Sequence, residues 1–242
     1  MDKGLKIRLP YFSVNTKSYM YGKEALNLAK EVDKLAEKYD VDVFFTCQAV
    51  DIPLIAQNTK NLIVTAQRMD GIKPGPGMGK VLPEALKEAG ARAVNLNHAE
   101  NPMSLFELTK AQKRADELGL FTIMCGSSIE DCKALAQLNP NVVVCEKTEL
   151  IGGGQIADLD YMHLSKKAVK EVNPDIIVVQ AAGISTPDDV RFVLEAGSEG
   201  TGAASGIMKA ENPIQLIDDM LAVIKEFRDK SGDDKWKYLV KN

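Results

Sequence analysis

Short, almost uninterrupted apolar runs alternate along this chain with longer segments in which apolar residues recur every three or four positions. Val41-Asp42-Val43-Phe44-Phe45 and Ile176-Ile177-Val178-Val179 are of the first kind. Their length and lack of polar alternation fit strands covered on both faces. Ala25-Leu26, Leu28-Ala29, Val32 and Leu35-Ala36 are of the second kind, with Lys and Glu between them, and predict an amphipathic helix. Strands are predicted near 6–14, 41–47, 61–66, 92–97, 120–125, 141–146, 175–180 and 198–203, each leading into a helical pattern. Thr186-Pro187-Asp188-Asp189 marks a helix start with a hydroxyl cap, a proline in the first turn and acids beside it. Asn101-Pro102 and Asn212-Pro213 repeat the cap-then-proline order. Repeated strand–helix units without a linker predict an α/β fold, a closed (β/α)8 barrel forming a single domain over residues 1–242. An open doubly wound sheet is the competing architecture. The polar end from about 231, Ser231 to Asn242 with Trp236, is expected to pack on the surface as an extension.

Composition narrows the class without naming a chemistry. An apolar fraction of 45% and a charged fraction of 26% are those of a soluble globular protein. A net charge of -4 argues against nucleic acid as the main partner. No apolar stretch reaches the roughly 20 residues of a membrane span, and the charged start has no signal-peptide core, so a cytoplasmic protein without a membrane partner is expected. Cys47, Cys125, Cys132 and Cys145 show no Cys-x-x-Cys spacing, and Cys47, Cys125 and Cys145 end apolar runs as buried thiols do. With only His98 and His163 and no clustered thiols, no metal site is expected.

Three short islands lie just beyond apolar runs. They are Val14-Asn15-Thr16-Lys17, Leu96-Asn97-His98-Ala99-Glu100-Asn101, and Cys145-Glu146 leading to Leu150-Ile151-Gly152-Gly153-Gly154. A cation, an imidazole and a carboxylate at different strand ends converge only if the strands share one sheet and direction, as in a parallel barrel. Glu146 closes an apolar strand, where burial raises a carboxylate's pKa and improves it as a base; taken singly it reads first as a strand-end acid paired with a lysine, and the glycines behind it shift the reading towards a base. His98, placed before a helix expected near Asn101-Pro102, should stay neutral at the positive helix end; alone it reads as a structural histidine. Lys17, two residues after Asn15, can steady a phosphate or a developing oxyanion, although exposed lysines are common. The three glycines after Glu146 suit a mobile lid or an anion cradle.

Gly183-Ile184-Ser185 and Gly202-Ala203-Ala204-Ser205-Gly206 follow the seventh and eighth predicted strands, where barrels often hold phosphate on backbone N–H groups. Gly75-Pro76-Gly77-Met78-Gly79-Lys80 superficially suggests a nucleotide loop. Its spacing is one residue short, and Val81 replaces the required hydroxyl residue, so it is rejected as an ATP site. A protruding arm for an oligomer partner, or a plain surface excursion, is expected there instead.

In order and spacing these stretches resemble the triosephosphate isomerase family, its compact archaeal branch above all, from roughly Lys6 to Ile224. Ala66-Gln67, Val81-Leu82-Pro83-Glu84-Ala85, Lys87-Glu88-Ala89-Gly90-Ala91 and Glu149-Leu150-Ile151-Gly152 add to the likeness. The resemblance implies a TIM barrel that isomerises a small phosphorylated sugar through an enediolate. Carried over, Glu146 is the base, His98 the electrophile, Lys17 and Asn15 the enediolate stabilisers, and Glu100 a supporting residue. Ile151, Gly183, Ala204 and Ser205 hold the phosphate, and Lys147, Thr148, Gly152, Gly153 and Gly154 belong to the lid. No cofactor is implied. A homodimer or homotetramer is, through the arm from Met69 to Lys80.

Several positions depart from the family pattern. Lys147-Thr148 follows the glutamate where the family usually has proline, which is expected to loosen the hinge and add a charge. Ala99 replaces a serine, Pro102 an arginine, and Met78 the threonine of the arm tip. Thr201-Gly202-Ala203 is smaller than the usual aliphatics, so an enlarged pocket is expected. Three readings follow: interconversion of glyceraldehyde 3-phosphate and dihydroxyacetone phosphate, isomerisation of a four-carbon ketose phosphate such as erythrulose phosphate, or a silent phosphometabolite-binding barrel.

Overall fold

The computed structural model describes residues 5–231 and 236–238. The predicted first strand divides in two, β1 (Lys6–Arg8) and β2 (Tyr11–Asn15), around Leu9-Pro10. Pro10 has no N–H to give to a ladder, so the strand cannot run through it. β3 (Val43–Cys47), β4 (Leu62–Ala66), β5 (Ala93–Leu96), β6 (Phe121–Gly126), β7 (Val142–Cys145), β8 (Ile177–Gln180) and β9 (Gly200–Ala203) follow. β2 to β9 form one eight-stranded sheet, ordered β8-β7-β6-β5-β4-β3-β2-β9, with every ladder parallel.

The two ends of that order meet at a seam held partly by side chains. Glu199 N donates to Val178 O at 3.0 Å, while Val178 N donates back to Glu199 Oε2 at 2.8 Å. Gln180 N donates to Ser198 Oγ at 2.8 Å, and Thr201 Oγ1 donates to Gln180 O at 3.0 Å. The sheet is a nearly closed barrel, as the repeat pattern predicts.

Helices α1 (Gly22–Tyr39), α2 (Ile52–Ala56), α3 (Pro83–Glu88), α4 (Leu105–Leu118), α5 (Ile129–Ala136), α6 (Leu159–Val172), α7 (Pro187–Glu195), α8 (Ser205–Met208) and α9 (Pro213–Ser231) join the strands. The apolar stripe read on α1 is the buried one: Ala25, Leu28, Ala29, Val32 and Ala36 face the sheet. Thr186 caps α7 reciprocally with Asp189, and Asn212 Oδ1 accepts from Gln215 N at the start of α9. The start expected at Asn101-Pro102 is displaced. Ser104 caps α4 in a capping box with Glu107, and Asn101 instead lies in the turn before it.

Strand alternation yields two apolar regions. Val43, Phe45 and Cys47 face the helices, whereas Phe44 points into the barrel with Ile63, Phe121, Ile123, Val142, Ile177 and Val179. Tyr11, Phe44 and Phe121 close the barrel interior, with ring centroids 4.6 and 5.2 Å apart. All four cysteines are buried and free. Of the terminal extension, β10 (Trp236–Tyr238) pairs antiparallel with β1; residues 232–235 and 239–242 lie outside the described residues. Among the described residues, no helix is long and apolar enough to cross a membrane.

Candidate active site

Asn15 ends β2, and the chain then turns sharply through Lys17, whose backbone is left-handed at φ 45°. That conformation costs a side-chain-bearing residue about 1–3 kcal/mol unless its surroundings enforce it. Here Lys17 N donates to Asn15 Oδ1 at 2.8 Å, and Lys17 O accepts from Gln67 Nε2 at 2.7 Å. The backbone is clamped from both sides, which aims Nζ at Glu100 Oε1, 2.7 Å away.

His98 follows β5 through Asn97, also left-handed at φ 60°. Asparagine tolerates this region, and its side chain bonds in two directions: Nδ2 donates to Cys125 O and Oδ1 accepts from Met103 N, both at 3.0 Å. Asn101 N closes the turn on His98 O at 2.8 Å. Within it, Glu100 N donates to His98 Nδ1 at 3.1 Å. A backbone N–H can only donate, so Nδ1 must present a lone pair and the ring proton sits on Nε2. The neutrality expected from a helix terminus is thus delivered by a tight turn. Burial first, and the Lys17 charge second, hold the imidazole below its usual range, against Glu100.

Glu146 follows β7, its N–H bonded to Gly126 O at 3.0 Å. Its Oε2 stands 3.7 Å from His98 Nε2. Burial pushes the carboxyl up to about 7, with Lys17 opposing and Glu100 adding. The alternative of a strand-end acid paired with a lysine does not describe it, because the ammonium of Lys17 is bonded to Glu100.

Asn15, Lys17, His98 and Glu146 line one cavity of about 100 Å3 with Ile151, Gly152, Gly183, Ala204 and Ser205. Glu100 stands in an adjoining cavity with Gln67 and Asn101. Lys147, Thr148 and Gly153 are outside both, and Gly154 lines an outer cavity with Ser185 and Lys209. The loops at Gly183 and Gly206 pack on their neighbours too closely for side chains. A Cβ on Gly183, at φ 75°, would lie 1.8 Å from Gln155 O, and one on Gly206 2.4 Å from Ile184 O.

Two expectations need correction. At Gly202 the missing side chain does not enlarge the pocket: a Cβ there would lie 2.5 Å from Ser13 O, and one on nearby Gly200 3.0 Å from the Tyr11 ring. The space they leave is occupied by Tyr11 and Ser13 of the neighbouring strand. Lys147 does not loosen the hinge as a free charge either, because its Nζ lies 2.8 Å from Asp158 Oδ2 and Thr148 Oγ1 donates to Ser127 Oγ at 2.9 Å.

Sequence reading overlooked Arg68. Its guanidinium donates to Asn101 Oδ1 and stands 3.5 Å from Asp70 and 3.9 Å from Glu107, bracing the His98 turn from β4's exit. Asn95 was also missed; it lines the cavity and donates to Thr46 Oγ1 at 3.1 Å. Neither residue forms a motif, and the positions they join are distant in sequence. Asp70 and Val81 close the base of the 69–80 arm, and Arg114 Nε donates to Ile72 O at 3.1 Å, while Met78 at the tip is fully exposed.

Residues 10–220 match the family model described as triosephosphate isomerase. The triosephosphate isomerase of Methanobacterium bryantii is 40% identical over 220 residues, 89% of this chain and 97% of its own. That of Methanocaldococcus jannaschii is 36% identical over 87% of this chain and 98% of its own. That of Sulfurisphaera tokodaii is 32% identical over 88% and 94%.

Proposed function

The chain belongs to the triosephosphate isomerase family, which interconverts glyceraldehyde 3-phosphate and dihydroxyacetone phosphate, and we propose that it performs this reaction with Glu146 as base. The observation that carries the assignment is the pairing of a buried carboxylate whose pKa is raised to about 7 with a histidine held neutral 3.7 Å away, in one cavity with Lys17. The Glu146 carboxylate takes the proton from the carbon next to the carbonyl, and the electron pair moves onto the carbonyl oxygen as an enediolate forms. His98 Nε2–H donates to that oxygen, with Lys17 and Asn15 stabilising the negative charge. His98 passes its Nε2 proton to that oxygen and takes up the proton of the neighbouring hydroxyl, whose oxygen becomes the new carbonyl, while the proton held by Glu146 is delivered to the carbon that bore the old one. Glu100 positions two of these groups at once: its carboxylate holds Lys17 and its N–H holds His98.

The phosphate lies against main-chain groups near Ile151, Gly183, Ala204 and Ser205, the last of which opens α8, where the first turn has N–H donors without intrahelical acceptors. Residues 147–154 act as the lid. Excluding water protects the enediolate, which can otherwise expel its phosphate as the C–O bond breaks. The whole chain is read as one domain, cytoplasmic, and oligomeric through the exposed arm tip around Met78. The four-carbon reading loses its support with the correction at Gly202, since the pocket is not widened there.

A coupled isomerase assay, run side by side on glyceraldehyde 3-phosphate and a tetrulose phosphate, tests the assignment. Efficient turnover of the triose is expected, and Glu146→Asp, which withdraws the carboxylate by about one bond length, should cost about a hundredfold in kcat. An inactive parent that still binds phosphate compounds would leave only the silent-barrel reading.

A further inference from the structure

Lys147 stands directly after Glu146, so its backbone sets how the base leaves β7 and how the lid begins. Its φ is -63° and ψ 117°, and its carbonyl accepts from Leu150 N at 3.0 Å to start the short turn Thr148–Leu150. The side chain does not extend into solvent. Its ammonium meets Asp158 at 2.8 Å and lies 4.9 Å from the centroid of the Tyr161 ring. Asp158 is itself the cap of α6, with Oδ1 accepting from Tyr161 N at 2.8 Å. Tyr161 OH donates to Ser127 O at 3.3 Å, and Thr148 Oγ1 donates to Ser127 Oγ at 2.9 Å.

These contacts join the first residue of the lid, Lys147, to the start of α6 beyond its far end, Asp158, and both to the loop after β6. Between them Gly152 and Gly154 adopt φ of 76° and 69°, conformations that side-chain-bearing residues seldom take. The stretch 147–158 therefore has clamped ends and a permissive middle. We infer that Lys147 is a positioning residue of the lid, holding its first hinge through the Asp158 ion pair and the Tyr161 ring, an inference that rests on reading Glu146 as the base and 147–154 as the lid. The φ it holds is the one a proline ring imposes covalently. A charge does the same work non-covalently, and because Asp158 is 60% exposed, salt weakens the hold.

The test compares the parent with Lys147→Met, Lys147→Pro and Asp158→Asn. The last removes the ion pair but keeps a side-chain oxygen to cap α6. Lys147→Met and Asp158→Asn should each lower kcat about five- to tenfold with KM nearly unchanged, and raise several-fold the inorganic phosphate released per isomerisation. Lys147→Pro should recover the parent's values, and high salt should impair the parent but not the proline variant. Amide exchange over 148–154 should be faster in the Met and Asn variants, a readout that needs no activity. Parent-like phosphate release and lid exchange in both would overturn the proposal, as would a proline variant no better than the methionine one. If a Lys147 variant fails to fold, Asp158→Asn decides alone. Absence of isomerase activity in the parent, with faster lid exchange in the variants, removes the functional reading while leaving the clamp.

Discussion

Burial lifts the Glu146 carboxyl from its usual 4.5 to about 7, so near neutral pH the folded chain carries a charge that its surroundings disfavour. The folded state binds this proton more tightly than the unfolded one. Stability from this group is therefore complete below about pH 4.5 and is lost as pH rises through 7, a difference of about 3 kcal/mol. Glu146→Gln should accordingly unfold at a higher temperature than the parent at pH 8, with the gap closing by about pH 4.5. A variant no more stable than the parent at pH 8 contradicts the buried-charge account. Direct observation is available from carboxyl NMR, where the resonance missing in Glu146→Gln should titrate near 7 in the parent. Rate profiles are less suited to this, since a substrate phosphate also ionises near pH 6. On the proposed reading, the charge that makes Glu146 a base is thus also one that detracts from stability. His98 balances it: kept below its usual range, it stays a neutral donor while Glu146 is charged.

The strands deliver the candidate catalytic groups, but the turns after them set their directions. Lys17 and Asn97 are both left-handed, and each is tied by side-chain hydrogen bonds from a neighbouring element or its own loop. Arg68 adds an outer brace to the His98 turn through Asn101. Replacing it with methionine keeps most of the apolar stem and removes the donors, and should lower kcat about tenfold with the fold intact by circular dichroism. An unchanged kcat would show that the turn holds without the Arg68 brace. The displaced start of α4 follows from the same contacts. Ser104 and Glu107 satisfy one another in a capping box, while the Asn101 side chain, read as a cap, is engaged by Arg68. The sequence analysis named only Asn101, whose side chain a tertiary partner takes up, and the helix is capped three residues later by Ser104.

Closure of the barrel brings the loops proposed to hold phosphate together, because Gly183 follows β8 and Ala204 follows β9. At their seam Ser198 Oγ accepts from Gln180 N and donates to Gly200 O at 2.6 Å. Ser198→Ala leaves a buried N–H without that partner, which costs about 1–3 kcal/mol. A lower urea midpoint with unchanged m-value is the expected result; no shift would mean that the seam is held elsewhere. Gly200 and Gly202 belong to the same closure, since Tyr11 and Ser13 fill the interior that β9 leaves clear. At the other end of the barrel, β10 pairs with β1, tying the terminal segment to the start of the chain.

By itself the sequence determined the strand–helix alternation, the parallel barrel and the identity of the four groups expected to carry the chemistry. Periodicity and strand-end position are local properties, legible wherever burial repeats along the chain. The family resemblance supplied roles that spacing alone left open. The tertiary structure decided what depends on contacts between distant positions: the proton on His98, the raised pKa of Glu146, the bracing by Arg68, and the filling of the glycine-lined space by Tyr11 and Ser13. It also turned Lys147 from a loosening charge into a clamped one. Such features arise from desolvation and from hydrogen bonds across the barrel, and these exist only once the strands have closed.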